Sequence, residues 1–168
     1  MHLNVQQTYA ATVIAVAAMM TNEDFLQRRS RQTVGEGTID RIDIDRDGPD
    51  GVTVIVRRTL PTDLIPAQAR ALVGNSVEVL QAEVWEHPTD QRAQGTVALE
   101  ITGVPVRMTG TVAIEAEDDG CRVTYNGNLS ANIPLFGSLV EEATATMVRR
   151  ALASEEAAGR LWLKENND

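Results

Sequence analysis

The sequence predicts an α+β fold: a curved antiparallel sheet of about seven strands around a long C-terminal helix, with two small helices after the first strand. Three observations predict it. One strand and a helical pair come first. Segments of alternating hydrophobicity follow, separated by turn residues at strand spacing. The chain then closes on roughly 28 residues of helical periodicity, enough to cross a domain. At 168 residues with 43% apolar residues, a single domain over residues 1–168 can build a core without disulfides or metals.

Leu3, Val5 and Gln7 alternate with Asn4 and Gln6, a strand that hands over to a helix in the apolar run 10–20. That run is apolar all round and must be covered on more than one side. It is too short to span a bilayer, and no Lys or Arg precedes Arg28, so it reads as part of the fold. Thr21-Asn22-Glu23-Asp24 fits a start signal in which Thr21 caps free N–H groups. A second helix runs from Asn22 to about Gln32, anchored by Phe25 and Leu26. Arg28, Arg29 and Arg31 read as its solvated face.

From Val34 the period is two. Ile42 and Ile44 share a face, Asp47-Gly48-Pro49-Asp50-Gly51 turns the chain, and Val52, Val54 and Val56 return as a hairpin. Pro61 and Pro66 bracket a break before a short helix over 67–73, which Gly74 ends. Strands follow at 77–87 and 96–101. In the next, Val106, Met108, Gly110, Val112 and Ile114 share one face; in the last, Cys121, Val123, Tyr125, Gly127, Leu129 and Ala131 do. Polar residues take the opposite faces, the pattern of an antiparallel sheet covered on one side. After Asn132-Ile133-Pro134, helical spacing resumes through Leu135, Leu139, Val140, Ala143, Met147, Ala151, Ala158 and Leu161. The small side chains of this helix fit two arrangements: close approach to the sheet, or space beneath the helix.

A net charge of -9 argues against nucleic acid and anionic membrane surfaces as partners. Cys121 is the sole cysteine and alternates with apolar strand residues, which predicts a buried, inert thiol in a cytoplasmic protein. Asp43-Ile44-Asp45-Arg46-Asp47-Gly48 opens like a calcium loop, but Val54 stands where the bidentate carboxylate is required, so no metal is expected. His87 shares a strand face with Glu83 and reads as a surface residue at a strand end. No Gly-x-Ser-x-Gly elbow occurs, and Gly35-Glu36-Gly37 lacks the rest of a phosphate-binding loop. Asn128-Leu129-Ser130 fits a glycosylation pattern only formally. No catalytic residue, cofactor or metal site is assigned.

Gly74 before a strand carrying Trp85, the turn Gly103-Val104-Pro105-Val106, Gly110 in the following strand, and Ile133-Pro134-Leu135-Phe136-Gly137 entering a helix with Glu141 together resemble the actinobacterial family of unknown function DUF2505. That family is placed near the START-like, or Bet v 1-like (SRPBCC), helix-grip superfamily. The resemblance covers nearly the whole chain. It implies a seven-stranded sheet around the C-terminal helix, with the two small helices closing one end of a hydrophobic cavity. Members of the wider superfamily bind lipids, sterols, polyketides or plant hormones, and some are cyclases or hydrolases. The narrower family supplies no catalytic residues to carry over, and fold alone does not fix function.

The residues expected to face one another between sheet and helix are Met108, Tyr125, Val140, Ala143 and Met147, with Trp85 as a further wall. They suit a cavity for a hydrophobic small molecule or lipid, bound non-covalently. They equally suit a filled core. The way in would lie near residues 22–32 and 61–74, and Asn126 would reach a ligand head group only from a bulge. Two other readings stand: a cyclase- or hydrolase-type enzyme using His87, Glu83 or Glu100 as general base, and an interaction module that associates through a sheet edge or the exposed part of the last helix. Ligand identity and oligomeric state are left open.

Overall fold

The period-two segments assemble into one antiparallel sheet in the computed structural model, which describes residues 1–33, 37–49, 51–63, 65 and 67–166. Residues 34–36, Asp50 and Pro66, to which the sequence assigns a change of period, part of a turn and a break, lie outside the described residues. The elements in order are β1 (His2–Tyr9), α1 (Val13–Met20), α2 (Glu23–Thr33), β2 (Thr38–Gly48), β3 (Gly51–Pro61), α3 (Ala67–Val73), β4 (Ser76–Trp85), β5 (Arg92–Ile101), β6 (Val106–Glu117), β7 (Gly120–Ala131) and α4 (Gly137–Asn166). The strand order is β1-β7-β6-β5-β4-β3-β2, so the first strand closes on the last and the β2–β3 hairpin forms the far end. Leu3 lies opposite Gly127 and Tyr9 opposite Cys121.

One face of the sheet is buried. Val54, Val56 and Leu60 of β3, Val77 and Val79 of β4, Val112 and Ile114 of β6 and the alternate residues of β7 from Cys121 to Ala131 form it. α4 crosses this face, packing on β1 and β7, and α2 packs on α4. Gly110 lets β6 and β7 approach closely: a Cβ there would lie 2.1 Å from the Asn126 carbonyl oxygen. The all-round apolar α1 is covered as its composition demands, with Val16 and Met20 fully buried.

Several local readings shift. The Thr12 side chain accepts from the Ala15 N–H, so α1 begins at Val13 and residues 10–12 lead into it. α2 is capped by Asn22, whose Oδ1 accepts from the Phe25 N–H at 3.2 Å. Thr21, expected as that cap, instead donates its hydroxyl back to the Ala17 carbonyl and closes α1. β4 ends at Trp85, two residues short of His87, and β5 begins at Arg92 because its pairing with β6 continues to Glu115. Leu135, expected on the inner stripe of the last helix, sits in the turn before it with φ 68 and is 98% exposed. Leu139 and Leu161 also lie on the outer surface. The inward stripe runs instead through Val140, Thr144, Ala145, Glu155, Ala158, Gly159 and Leu163.

Candidate functional site

Between α4 and the sheet lie two small adjoining chambers of about 70 and 80 Å³. The first is walled by Leu3 and Val5 of β1, Val97 and Leu99 of β5, Met108 of β6, Tyr125 of β7 and Leu152 of α4, with Arg29, Gln81 and Glu155 supplying its polar side. The second is walled by Leu60, Val77, Val79, Ile101, Val106 and Ile133 from the sheet side, Ile65 and Val73 around α3, and Val140, Ala143, Thr144 and Met147 of α4. Arg58, Leu99, Val148 and Ala151 border both. The chambers therefore meet at the middle of α4, where its side chains are small.

A buried polar cluster closes one side of the first chamber. Arg29 of α2 donates to Glu155 of α4 at 2.6 Å and to Glu83 of β4 at 3.0 Å. Glu83 also accepts from Gln81 Nε2 at 2.7 Å and from the Trp85 indole at 3.0 Å. Glu155 accepts from the Tyr125 hydroxyl at 2.9 Å and from Gln7 Nε2 at 3.0 Å, and Tyr9 donates to Gln7 Oε1 at 3.1 Å. Each carboxylate thus receives three donors, the condition under which a buried ion group is tolerated. Burial alone would lower the pKa of the Arg29 guanidinium, but the carboxylates of Glu155 and Glu83 outweigh it and hold the group above its usual range. Burial, reinforced by Glu155, raises both Tyr9 and Tyr125 well above the ordinary phenol value.

Arg58 of β3 is differently placed. One terminal nitrogen donates to the neutral Gln81 Oε1 at 2.6 Å, its buried Nε has no partner, and no carboxylate of the described residues pairs with it. Burial, with repulsion from Arg29, lowers its pKa to about 10. It remains charged at neutral pH.

Of the residues expected to line a cavity, Met108 and Tyr125 border the first chamber and Val140, Ala143 and Met147 the second. Trp85 borders neither; it is buried among Phe25, Met20 and Ile114 with its indole on Glu83. Arg29, expected on a solvated face, is only 5% exposed, because the helical spacing that places Phe25 and Leu26 inward also carries residue 29 inward. Arg28 pairs with Glu165 near the surface, and Arg31 is exposed. Asn126 makes its side-chain bond to Asn4 on the outer face, in an unbulged stretch of β7.

The three candidate bases are separated. Glu83 is buried and accepts three hydrogen bonds, His87 is exposed beyond β4, and Glu100 is exposed and paired with Arg107 at 3.0 Å. Burial raises the Cys121 thiol to about 11, leaving it a poor nucleophile at neutral pH. Among the described residues no three His, Cys, Asp or Glu side chains are grouped to hold a metal ion, and no helix is long and apolar enough to cross a membrane.

Arg58 and Glu155 escaped the sequence reading, and Gln7, placed there on the face of Leu3 and Val5, is given no role in it. The available signal was phase: Arg58 falls between Val56 and Leu60 on the buried alternation of β3, and Glu155 falls four residues after Ala151 and three before Ala158.

The family model described as "Protein of unknown function (DUF2505)" matches residues 4–163. No curated protein matches the sequence. Among solved structures, TTHA0849 from Thermus thermophilus is similar over 94% of this chain and 96% of its own, at 17% identity and a TM-score of 0.58. Ara h 8.0201 is similar over 94% and 95%, at 15% identity and a TM-score of 0.54. The di-domain ARO/CYC StfQ from the steffimycin biosynthetic pathway aligns with 99% of this chain at 11% identity and a TM-score of 0.61; this chain spans about half of that protein, 51%. These likenesses establish the helix-grip fold.

Proposed function

We propose that this chain, which belongs to the DUF2505 family, binds a hydrophobic small molecule non-covalently in the divided cavity between its sheet and α4, in the cytoplasm and without a nucleic-acid partner. The observation that carries this reading is the adjoining pair of apolar-walled chambers of about 70 and 80 Å³ at Ala143, Met147, Val148 and Ala151. A space of about 10–15 Å³ is enough for one water, so each exceeds a packing defect. Removing apolar ligand surface from water would supply the affinity, at roughly 25 cal/mol per Å² before the costs of ordering. Met147 can shift to widen the second chamber for a longer, lipid-like molecule. Entry would be past Ile65 and Val73, which wall that chamber from the α3 side.

Catalysis has less support. Glu83 already accepts from Arg29, Gln81 and Trp85 and borders neither chamber, and neither His87 nor Glu100 borders one. The test is native mass spectrometry of the chain purified from its own host, beside Ala143→Leu. The expected result is a co-purified apolar molecule that is lost in the variant while stability changes little. If the variant instead loses about 1–3 kcal/mol of stability, the site behaves as a packed core and the reading fails.

A further inference from the structure

We propose that the molecule bound in the divided cavity carries a carboxylate, and that Arg58 is the residue that recognises it. This rests on the cavity reading above and assigns the chemistry of its ligand. The polar groups beside the chambers differ in what they have left to offer. Glu155 receives donors from Arg29, Tyr125 and Gln7. Arg29 is committed to two carboxylates. Gln81 gives Nε2 to Glu83 and Oε1 to Arg58, and the Tyr125 hydroxyl is given to Glu155.

Arg58 alone among them combines a charge, an unpartnered buried nitrogen and a position bordering both chambers. A ligand bringing only donors would find these acceptors largely engaged, with the Thr144 hydroxyl of the second chamber and one lone-pair site of Glu155 left to meet it. A ligand bringing acceptor oxygens would complete the guanidinium.

The charges around Arg58 favour an anion over a neutral acceptor. Glu83 and Glu155 share Arg29 between them, and among the described residues the cation of Arg58 has no ion-pair partner in direct contact. The surroundings, burial first and Arg29 second, disfavour its charge more than those two carboxylates favour it. An anion at the junction of the chambers would relieve that imbalance, and arginine binds carboxylates in a fixed two-pronged geometry. The rest of the ligand would then occupy apolar space on either side, toward Met108 in one chamber or Met147 in the other.

The experiment compares matched small probes, each an apolar body with and without a carboxylate: hexanoate against hexanol, and benzoate against benzyl alcohol. Calorimetric titration at pH 7 uses the full chain, Arg58→Lys and Arg58→Met. The expected result is at least about tenfold tighter binding of each carboxylate by the wild type. Arg58→Met should bind both members of a pair equally, and Arg58→Lys should keep part of the preference. Thermal unfolding of ligand-free Arg58→Met reports whether the variant folds; removal of a half-buried cation that has no ion-pair partner among the described residues should raise its midpoint. If Arg58→Met does not fold, the Arg58→Lys comparison and the wild-type preference decide the matter. Equal binding of alcohol and carboxylate by the wild type overturns the assignment to Arg58 while leaving the cavity reading intact. A preference undiminished in Arg58→Met does the same. Binding of no probe overturns both.

Discussion

Arg29 joins α2 to α4 and to β4 through two carboxylates, and the cost of removing it is set by what would be left behind. With Met in its place, Glu83 and Glu155 would be buried side by side with neutral donors only. Breaking a buried ion group by deleting one partner typically costs about 3–5 kcal/mol. Arg29→Met should therefore lose about that much in urea unfolding, and combining it with Glu83→Gln and Glu155→Gln should recover part of the loss. A single-variant loss below about 1 kcal/mol would mean that the cluster is solvated in solution. The phenols beside this cluster make a second prediction. A phenol in the unfolded chain ionises near 10.0, whereas Tyr9 and Tyr125 are both raised in the folded one. Above about pH 10 the folded state binds more protons than the unfolded state, so stability that is complete below pH 10 declines as pH rises further. These are the two tyrosines of the chain. Tyrosinate absorbance should appear only together with the loss of circular dichroism on alkaline titration, and tyrosinate forming in still-folded protein would contradict the burial. The members of the cluster were partly legible as charges in phase with apolar stripes. Their pairing was not, because Arg29 meets partners 54 and 126 positions away in the chain.

At the scale of the element, α4 shows which features periodicity can and cannot reveal. The existence of the helix, its small residues and the alternation of β6 and β7 follow from spacing, because buried faces there are nearly unbroken runs of apolar side chains. The exact inward stripe of α4 does not, because Leu135 precedes the helix while the polar Thr144 and Glu155 turn inward. Gly159 belongs to that stripe for a steric reason. A Cβ there would lie 2.7 Å from the Tyr9 ring and 3.0 Å from the Met19 methyl. Met19 can swing aside, but the Tyr9 ring is buried and held by its bond to Gln7. Gly159→Ala would gain about 1 kcal/mol of helix propensity, against about 1–3 kcal/mol of overpacking. A net loss of about 1 kcal/mol in chemical denaturation is expected, and a stabilised variant would show that α4 can slide away from β1.

The whole molecule has two sheet edges, and they are protected in different ways. β1 is shielded by α4: the Thr8 N–H donates to Glu156 at 2.8 Å, and Arg160 donates to the Thr8 carbonyl at 3.2 Å. β1 also carries the closure of first strand on last, so its bonds should break only when the core does. β2, against which α2 packs, is largely exposed, carries Asp40, Arg41, Asp43, Asp45, Arg46 and Asp47, and is irregular in register at two places. Charges and bulges discourage pairing with another chain while leaving the strand weakly held. Amide hydrogen exchange should therefore divide the sheet unevenly. Amides of β6 and β7, whose inward side chains are buried along nearly their whole length, should exchange only through global unfolding, with β1 close to them. Those of β2 that face outward should exchange by local opening, orders of magnitude faster and independently of denaturant at low concentration. The same measurement addresses association through the sheet edge. If the outward amides of β2 were as protected as those of β7, and that protection fell on dilution, the edge would be paired with a second copy; protection that is low at every concentration is the expected result for a chain whose working surface is the cavity under α4.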